Sequence, residues 1–442
     1  MGELRWTFAG KIGYHEIRMQ YPDYNAYRHR IAEDAFLPEG FQTAAVPLEF
    51  IPREIPDAGK QSMNLALIRL RESTSSFAGV FTRNAFPGWP VILGRKLMDA
   101  SKIQGILVNN KVANVGAEGG LEASERLSTL TSALFGDPAP YIPSSTGVIG
   151  WSLPMEAMEA ALPGLKDNLQ TDSLLPFAEA IMTTDAWPKL RSSVCGDGRI
   201  TATAKGAGMV EPDMATMLAF FLTDVAVPRD VGRKVLSEVA EETFNRISID
   251  GDTSTSDSVF LLSSGVKPYP GDDMFHRSLM ETAAKLSEDV VRNGEGTAHV
   301  FRVTVSGVED RQTAVFLARS IVNAPLTKTA VRGNDPNVGR ILQALGAACG
   351  RAGVELLRDR LSLDIGGRRV FEKGAFHLNS REEAALSAYF REKELPLPSK
   401  TWPLHEERVE IELQLGLGNA SASVTASDLS EEYVKINADY RT

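Results

Sequence analysis

A threonine hydroxyl becomes a useful nucleophile only when a base takes its proton, and a threonine at a chain terminus carries that base as its own α-amine. Such an amine titrates near ~7.7–8.0, close enough to neutrality to accept the hydroxyl proton. Thr216 sits where this chemistry could arise. It lies in residues 205–218, KGAGMVEPDMATML, which run on into the apolar segment AFFL. Gly206, Gly208 and Pro212 keep the first half of this stretch out of a regular helix or strand interior. After Pro212, the residues Met214, Ala215, Met217, Leu218 and Ala219 are good helix formers, so the loop is expected to give way to a helix. An internal Thr216 lacks the terminal amine; cleavage of the Ala215–Thr216 bond would supply it. The hydroxyl could itself attack the Ala215 carbonyl, giving an ester that water opens. The same composition also suits a glycine-rich loop before a buried helix, with no chemistry at all.

Acyl transfer needs a second feature, donors aimed at the oxyanion of the tetrahedral intermediate. Residues 144–150, SSTGVIG, offer the Thr146 hydroxyl and the Gly147 backbone N–H, where a missing side chain permits close approach. A plain Ser/Thr-rich turn capping a helix fits the same residues. Asp250, Asp252 and Asp257 could suggest a cation loop, but their spacing does not follow an EF-hand, and a hydrogen-bonded structural loop is expected instead, with no metal.

Composition narrows the partners. The chain has 442 residues, 24% of them charged, with a formal net charge of −10, which argues against nucleic acid or an anionic membrane surface as the main partner. Acidic substrates would therefore need a local basic pocket. Cys195 and Cys349 form no CxxC and no Cys/His cluster, so a reducing compartment and two small core residues are expected. The absence of a long apolar run and of an N-terminal apolar region leads to the expectation of a cytoplasmic protein.

These residues have to be held by a frame in which helices and strands alternate. Strand patterns occur at MNLALIRL, IQGILVNN, RITATAK, SVFLL, HVFRVTVSGV, LSLDIGG, RVFEKG and ERVEIELQLGLG. Amphipathic helices are expected over LEASERLSTLTSALF, WSLPMEAMEAALPGL, RDVGRKVLSEVAEETFNRI, DDMFHRSLMETAAKLSEDVVRN and SREEAALSAYFREKE. A helix is also expected over RQTAVFLARSIVNAPLTKTAV, running towards a strand. YIPSSTGVIG reads as a loop, and AFFLTDVAV is ambiguous between helix and strand. Residues 1–37 show no clean period and read as an extension, packed on the body or at an oligomer interface. The alternation supports a layered α/β fold without an obvious hinge.

Taken together, STGVIG, IMTTDAWPK, KGAGMVEPDMATML, DGDTSTSDS, GEGTA, KTAVRGNDPN-GR and YVKINADY, in that order, resemble the ornithine acetyltransferase (glutamate N-acetyltransferase) family of arginine biosynthesis, from about residue 38 to the end. The resemblance implies a self-cleaving α-β-β-α sandwich of the DmpA-like, N-terminal-nucleophile type. It implies cleavage into an alpha chain, residues 38–215 behind the 1–37 extension, and a beta chain, residues 216–442, associated as α2β2. It further implies that Thr216 takes acetyl from N-acetylornithine and passes it to glutamate in a ping-pong cycle. Thr146 and Gly147 match the family's oxyanion hole, and Thr183, Lys205, Thr216, Glu295, Asn437 and Thr442 match its substrate contacts. No cofactor is implied, and acetyl-CoA would enter only as a co-substrate.

Some loops depart from the family pattern. NNKVANV at 109–115 carries Lys111 where glycine is usual, Val338 replaces a tryptophan, His299 replaces a lysine, and the alanine pair usual before Pro90 is missing. Acyl transfer is therefore better supported than the identity of donor and acceptor. An analogous amino acid as substrate, a related amidohydrolase or aminopeptidase, and a homologue that binds without turnover are the competing readings.

Overall fold

The computed structural model describes Tyr21 and residues 23–211, 217–395 and 402–439. Ala215, Thr216 and Thr442 lie outside the described residues.

Two sheets stack face to face. The first runs in the order Phe41–Phe50, Gln61–Thr74, Ile103–Asn109, Tyr141–Ser145. The second runs Phe77–Phe81, Ser258–Lys267, Leu218–Val225, Gly198–Lys205, Lys189–Cys195. Ile68, Ile106 and Ile142 of the first sheet meet Phe220, Leu222 and Phe260 of the second in one buried cluster. The outer face of the first sheet packs Leu67 and Leu107 against Leu127, Met158 and Leu162 of the helices Gly120–Phe135 and Met155–Asp167. The outer face of the second packs Phe221 and Leu261 against Leu236, Val239, Leu279 and Leu286 of the helices Arg229–Glu242 and Asp272–Arg292. The layering is thus helix, sheet, sheet, helix, as expected. A third, seven-stranded sheet around Val300–Val308, Val409–Gln414 and Ala420–Ser427 has its own core with the helices Arg311–Val322, Val338–Ala352 and Ser380–Glu392.

The helix expected after Pro212 is not found at Met217–Ala219: the chain enters the strand Leu218–Val225, buried along its whole length. Phe220 and Leu222 face the other sheet while Ala219 and Phe221 face the helices, so both faces are apolar and the usual alternation disappears. Tertiary burial here overrides helix propensity. Tyr141–Ser145, expected as loop, is a strand, and Phe41–Phe50, whose sequence shows no clear strand pattern, is another; each is an edge strand carrying a proline, Pro143 and Pro47. No strand follows Arg311–Val322; a second helix, Pro325–Arg332, does, with its proline at the first turn. Near the N-terminus, the helix Tyr24–Asp34 buries Tyr27 and Ile31, and the Tyr27 hydroxyl donates to Pro188 O at 2.9 Å, so this part of the extension packs on the body. Cys195 and Cys349 are buried and unbonded.

In sequence, the step from residue 215 to 216 falls between two neighbouring strands of the second sheet. Gly198–Lys205 precedes it and Leu218–Val225 follows it, paired antiparallel with Lys205 opposite Leu218. The two segments on either side of that bond therefore share one core rather than forming separate bodies.

Phe220 stands at the centre of the inter-sheet layer, edge-on to Phe177 at 5.2 Å and stacked on Phe260 at 5.8 Å. Phe220→Ala should destabilise the protein by roughly 3–5 kcal/mol, read as a lower midpoint in chemical denaturation with an unchanged slope.

Candidate active site

Strand ends deliver the expected residues to one place. Thr146 and Gly147 follow directly on the strand Tyr141–Ser145, and Lys205 ends the strand Gly198–Lys205. Thr183 lies just beyond the short helix Leu175–Ala180, Glu295 beyond the helix Asp272–Arg292, and Asn437 on the helix Glu431–Asp439. All six line a single cleft with 610 Å³ of empty space. The chain either side of Thr216 is anchored: Glu211 N–H donates to Asp252 O at 3.0 Å, and Ser258 N–H donates to Met217 O at 3.0 Å.

The central contact is between two buried side chains. Lys205 Nζ donates to Thr146 Oγ1 at 3.0 Å. A hydroxyl has one donor and two lone pairs, so with a lone pair of Thr146 occupied by an ammonium, its own hydrogen is left to donate elsewhere. Beside it, Thr146 N–H goes to Asn109 O and Val148 N–H to Lys111 O, while no backbone carbonyl among the described residues takes the Gly147 N–H between them. Gly147 has φ +119, and a Cβ there would lie 2.2 Å from Lys111 O. Only glycine fits, because both the backbone conformation and the neighbouring strand forbid a side chain. Lys111 itself keeps a negative φ, which a lysine adopts without strain.

A buried ion pair lies in the field of Lys205. Asp185 pairs with Lys189, and both side chains are fully buried. The same carboxylate accepts from Gly206 N–H at 2.8 Å and Thr183 N–H at 2.9 Å. Burial alone would raise the Asp185 carboxyl, but Lys189, Lys205 and the Gly206 N–H hold it well below the usual range. Burial pushes the Lys205 ammonium below its ordinary value; Asp185 opposes this and Lys189 adds to it. Also lining the cleft, Glu295 accepts from Asn437 Nδ2 at 2.7 Å. Its carboxylate packs so closely on Gly208 that a Cβ there would come within 2.5 Å. The Tyr433 hydroxyl donates to Asp250 at 3.2 Å and Ser430 Oγ to Gly296 O at 2.7 Å, which fixes the helix bearing Asn437 against the body. The cleft lining thus includes one cation, Lys205, and one anion, Glu295.

Two of these groups, Asp185 and Lys189, were not singled out from the sequence. A carboxylate and an ammonium four residues apart are common on surfaces, and only the fold reveals that this pair is buried. The polar loop at 253–257 also proves to line the cleft through Ser254, Thr255 and Ser256. Asp250 accepts from Met209 and Val210 N–H at 2.6 and 2.8 Å, the hydrogen-bonded role expected of it. The substituted His299 is buried, with Nδ1 2.9 Å from Asp428 and Nε2 3.2 Å from Asn334, and Val338 is buried at the start of its helix.

The ArgJ family's sequence profile matches residues 55–442. The chain belongs to the ArgJ family. It is an acyltransferase of the bifunctional ArgJ ornithine acetyltransferase type, of arginine biosynthesis. It is 34% identical over 385 residues to the arginine biosynthesis bifunctional protein ArgJ 2 of Clostridium acetobutylicum, covering 86% of this chain and 94% of that protein. To ArgJ of Dehalococcoides mccartyi it is 36% identical over 423 residues, 92% of this chain and 96% of that one. A crystal structure of ArgJ from Bacillus halodurans is 31% identical, with a TM-score of 0.44, covering 51% of this chain and 100% of that chain. Among the described residues of this ArgJ member, no helix is long and apolar enough to cross a membrane.

Because Asp185 is held below its unfolded-state value of ~3.9, it adds stability that is complete above about pH 4 and is lost as pH falls through the depressed folded value. Asp185→Asn should cost roughly 3–5 kcal/mol at neutral pH by stranding Lys189 and should flatten the acid limb of the stability profile, measured by denaturant melts from neutral to acid pH.

Proposed function

We propose that the chain cleaves itself between Ala215 and Thr216 and uses the new N-terminal threonine to move acetyl from N-acetylornithine to glutamate. The observation that carries this reading is the polarised Thr146 hydroxyl beside a Gly147 N–H that no backbone carbonyl among the described residues accepts, in the cleft lined by Lys205. Thr216 Oγ attacks the acetyl carbonyl carbon as its proton passes to its own α-amine. Thr146 and Gly147 stabilise the oxyanion. Collapse breaks the amide C–N bond, the departing α-amine of ornithine takes the proton, and an acetyl-Thr216 ester remains. The amine of glutamate then attacks this ester, loses its proton to the Thr216 oxygen by way of the same terminal amine, and leaves as N-acetylglutamate. Lys205 and Glu295 suit the α-carboxylate and the side-chain ammonium of ornithine, with Thr183, Asn437 and Thr442 as further substrate contacts.

On this reading the products of cleavage, residues 1–215 and 216–442, stay together because they share the second sheet. An α2β2 assembly in the cytoplasm completes it, with acetyl-CoA as an alternative acetyl donor.

Incubating the protein with N-acetylornithine should release ornithine over many turnovers only when glutamate is present; sustained release of free acetate without glutamate would instead identify an amidohydrolase. Lys205→Met separates two roles. If Lys205 orients the Thr146 donor, kcat falls by up to about 10²-fold, as for a lost oxyanion donor; if it only binds a carboxylate, KM rises and kcat is kept.

A further inference from the structure

Residues 207–211 lead the chain toward the Ala215–Thr216 bond, and neighbouring loops grip their backbone. Glu295 N–H donates to Ala207 O at 2.8 Å, Ile249 N–H to Val210 O at 2.6 Å, and Glu211 N–H to Asp252 O at 3.0 Å. Thr253 Oγ1 donates to Glu211 O at 3.1 Å. Asp250 completes the grip, accepting from Met209 N–H on one carboxylate oxygen at 2.6 Å and from Val210 N–H on the other at 2.8 Å. The loop is held from behind by the buried Lys328, whose ammonium donates to Ile249 O at 2.9 Å and Ser427 O at 2.5 Å. Ser427 ends the strand Ala420–Ser427, so the grip is anchored in the third sheet.

Met209, which lines the catalytic cleft, is the strained point of this segment. Its φ of +56 lies in the left-handed region that residues other than glycine seldom adopt. Such a conformation persists only where the surroundings over-determine it. An ionised acceptor makes stronger hydrogen bonds than a neutral one, and Asp250 places one carboxylate on two successive peptide N–H groups, which fixes both peptide planes. The same carboxylate reaches the C-terminal helix. The Tyr433 hydroxyl donates at 3.2 Å to the oxygen that also takes Met209 N–H. Burial first, and then the Asp250 charge, raise the Tyr433 phenol above its ordinary value, which keeps it a donor. The helix Glu431–Asp439 buries none of its residues, so polar ties of this kind hold Asn437 in the cleft.

We infer that Asp250 is a positioning residue for self-cleavage and, through Tyr433, for the substrate contact made by Asn437. The inference rests on the reading that the chain cuts itself before Thr216. In that step Thr216 Oγ bonds to the Ala215 carbonyl carbon, the peptide C–N bond breaks, and the hydroxyl proton ends on the freed amine. Water then opens the ester to the Ala215 carboxylate and the Thr216 hydroxyl. A side chain reaches the carbonyl of the residue before it efficiently only when the chain on both sides is held. Downstream, Met217 O accepts from Ser258 N–H and the strand Leu218–Val225 begins. Upstream, the hold is Asp250 with Met209 in its bent conformation.

The test uses the full-length chain made by cell-free synthesis, with cleavage followed on denaturing gels and folding checked by thermal melts. Asp250→Asn keeps the shape but turns an amide N–H₂ toward one of the backbone donors, and cleavage is expected to slow about tenfold or more. Met209→Val, whose branched side chain resists a positive φ, should slow it comparably; Met209→Gly, free of that strain, should cleave at least as fast as wild type. Tyr433→Phe should cleave at the wild-type rate and then show a raised KM for glutamate with kcat kept. Should Asp250→Asn fail to fold, the Met209 pair carries the test. Wild-type cleavage by Asp250→Asn, equal rates for Met209→Val and Met209→Gly, or an unchanged KM in Tyr433→Phe overturns the inference. An uncut wild type, or a Thr216→Ala chain cut as fast as wild type, refutes the self-cleavage reading itself and the inference with it.

Discussion

The buried Lys189–Asp185 ion pair, with Lys205 in its field, is the constraint on which the site depends. Taking three charges out of water is expensive, and such groups are tolerated only when each is matched. Asp185 meets that demand by accepting from Lys189, Gly206 and Thr183 together, next to Lys205. The arrangement adds little to stability beyond what an apolar packing would give. Its effect is electrostatic: the Asp185 charge favours the ammonium form of Lys205, which donates to Thr146 Oγ1 and leaves the Thr146 hydrogen free to donate elsewhere.

Every partner in that arrangement comes from a different part of the sandwich. Thr146 leaves the edge strand of the first sheet, Lys205 ends a strand of the second, and Asp185 lies between the helix Leu175–Ala180 and the strand Lys189–Cys195. Face-to-face packing of the two sheets through Ile68, Ile106, Phe220 and Phe260 brings these ends together. The register then sets Lys205 opposite Leu218, the first residue of the strand that follows. Core packing and chemistry are therefore linked through strand register: a slip of one residue would turn Lys205 away from Thr146.

The sequence made much of this legible because most helices are amphipathic and the nucleophile region has an unusual glycine and proline pattern. Gly147 could be read as a point of close approach, and the structure supplies the reason in the Lys111 backbone. Two kinds of feature were hidden. Strands buried on both faces, such as Leu218–Val225, lose their period and resemble helix, while proline-bearing edge strands resemble loops. Charges such as Asp185 and Lys189 look like surface residues until the fold buries them. Several strands of the third sheet are legible one by one, but their assembly around a separate core is not, since it depends on pairings far apart in the chain, as between Val300–Val308 and Val409–Gln414.

Intact mass spectrometry of the purified protein, before and after exposure to N-acetylornithine without glutamate, tests the central claim most directly. The expected result is two fragments, residues 1–215 and 216–442, with the second gaining the mass of one acetyl group that glutamate then removes. A single uncut chain that still transfers acetyl, or a cut protein in which the acetyl group is found on a residue other than Thr216, would contradict it.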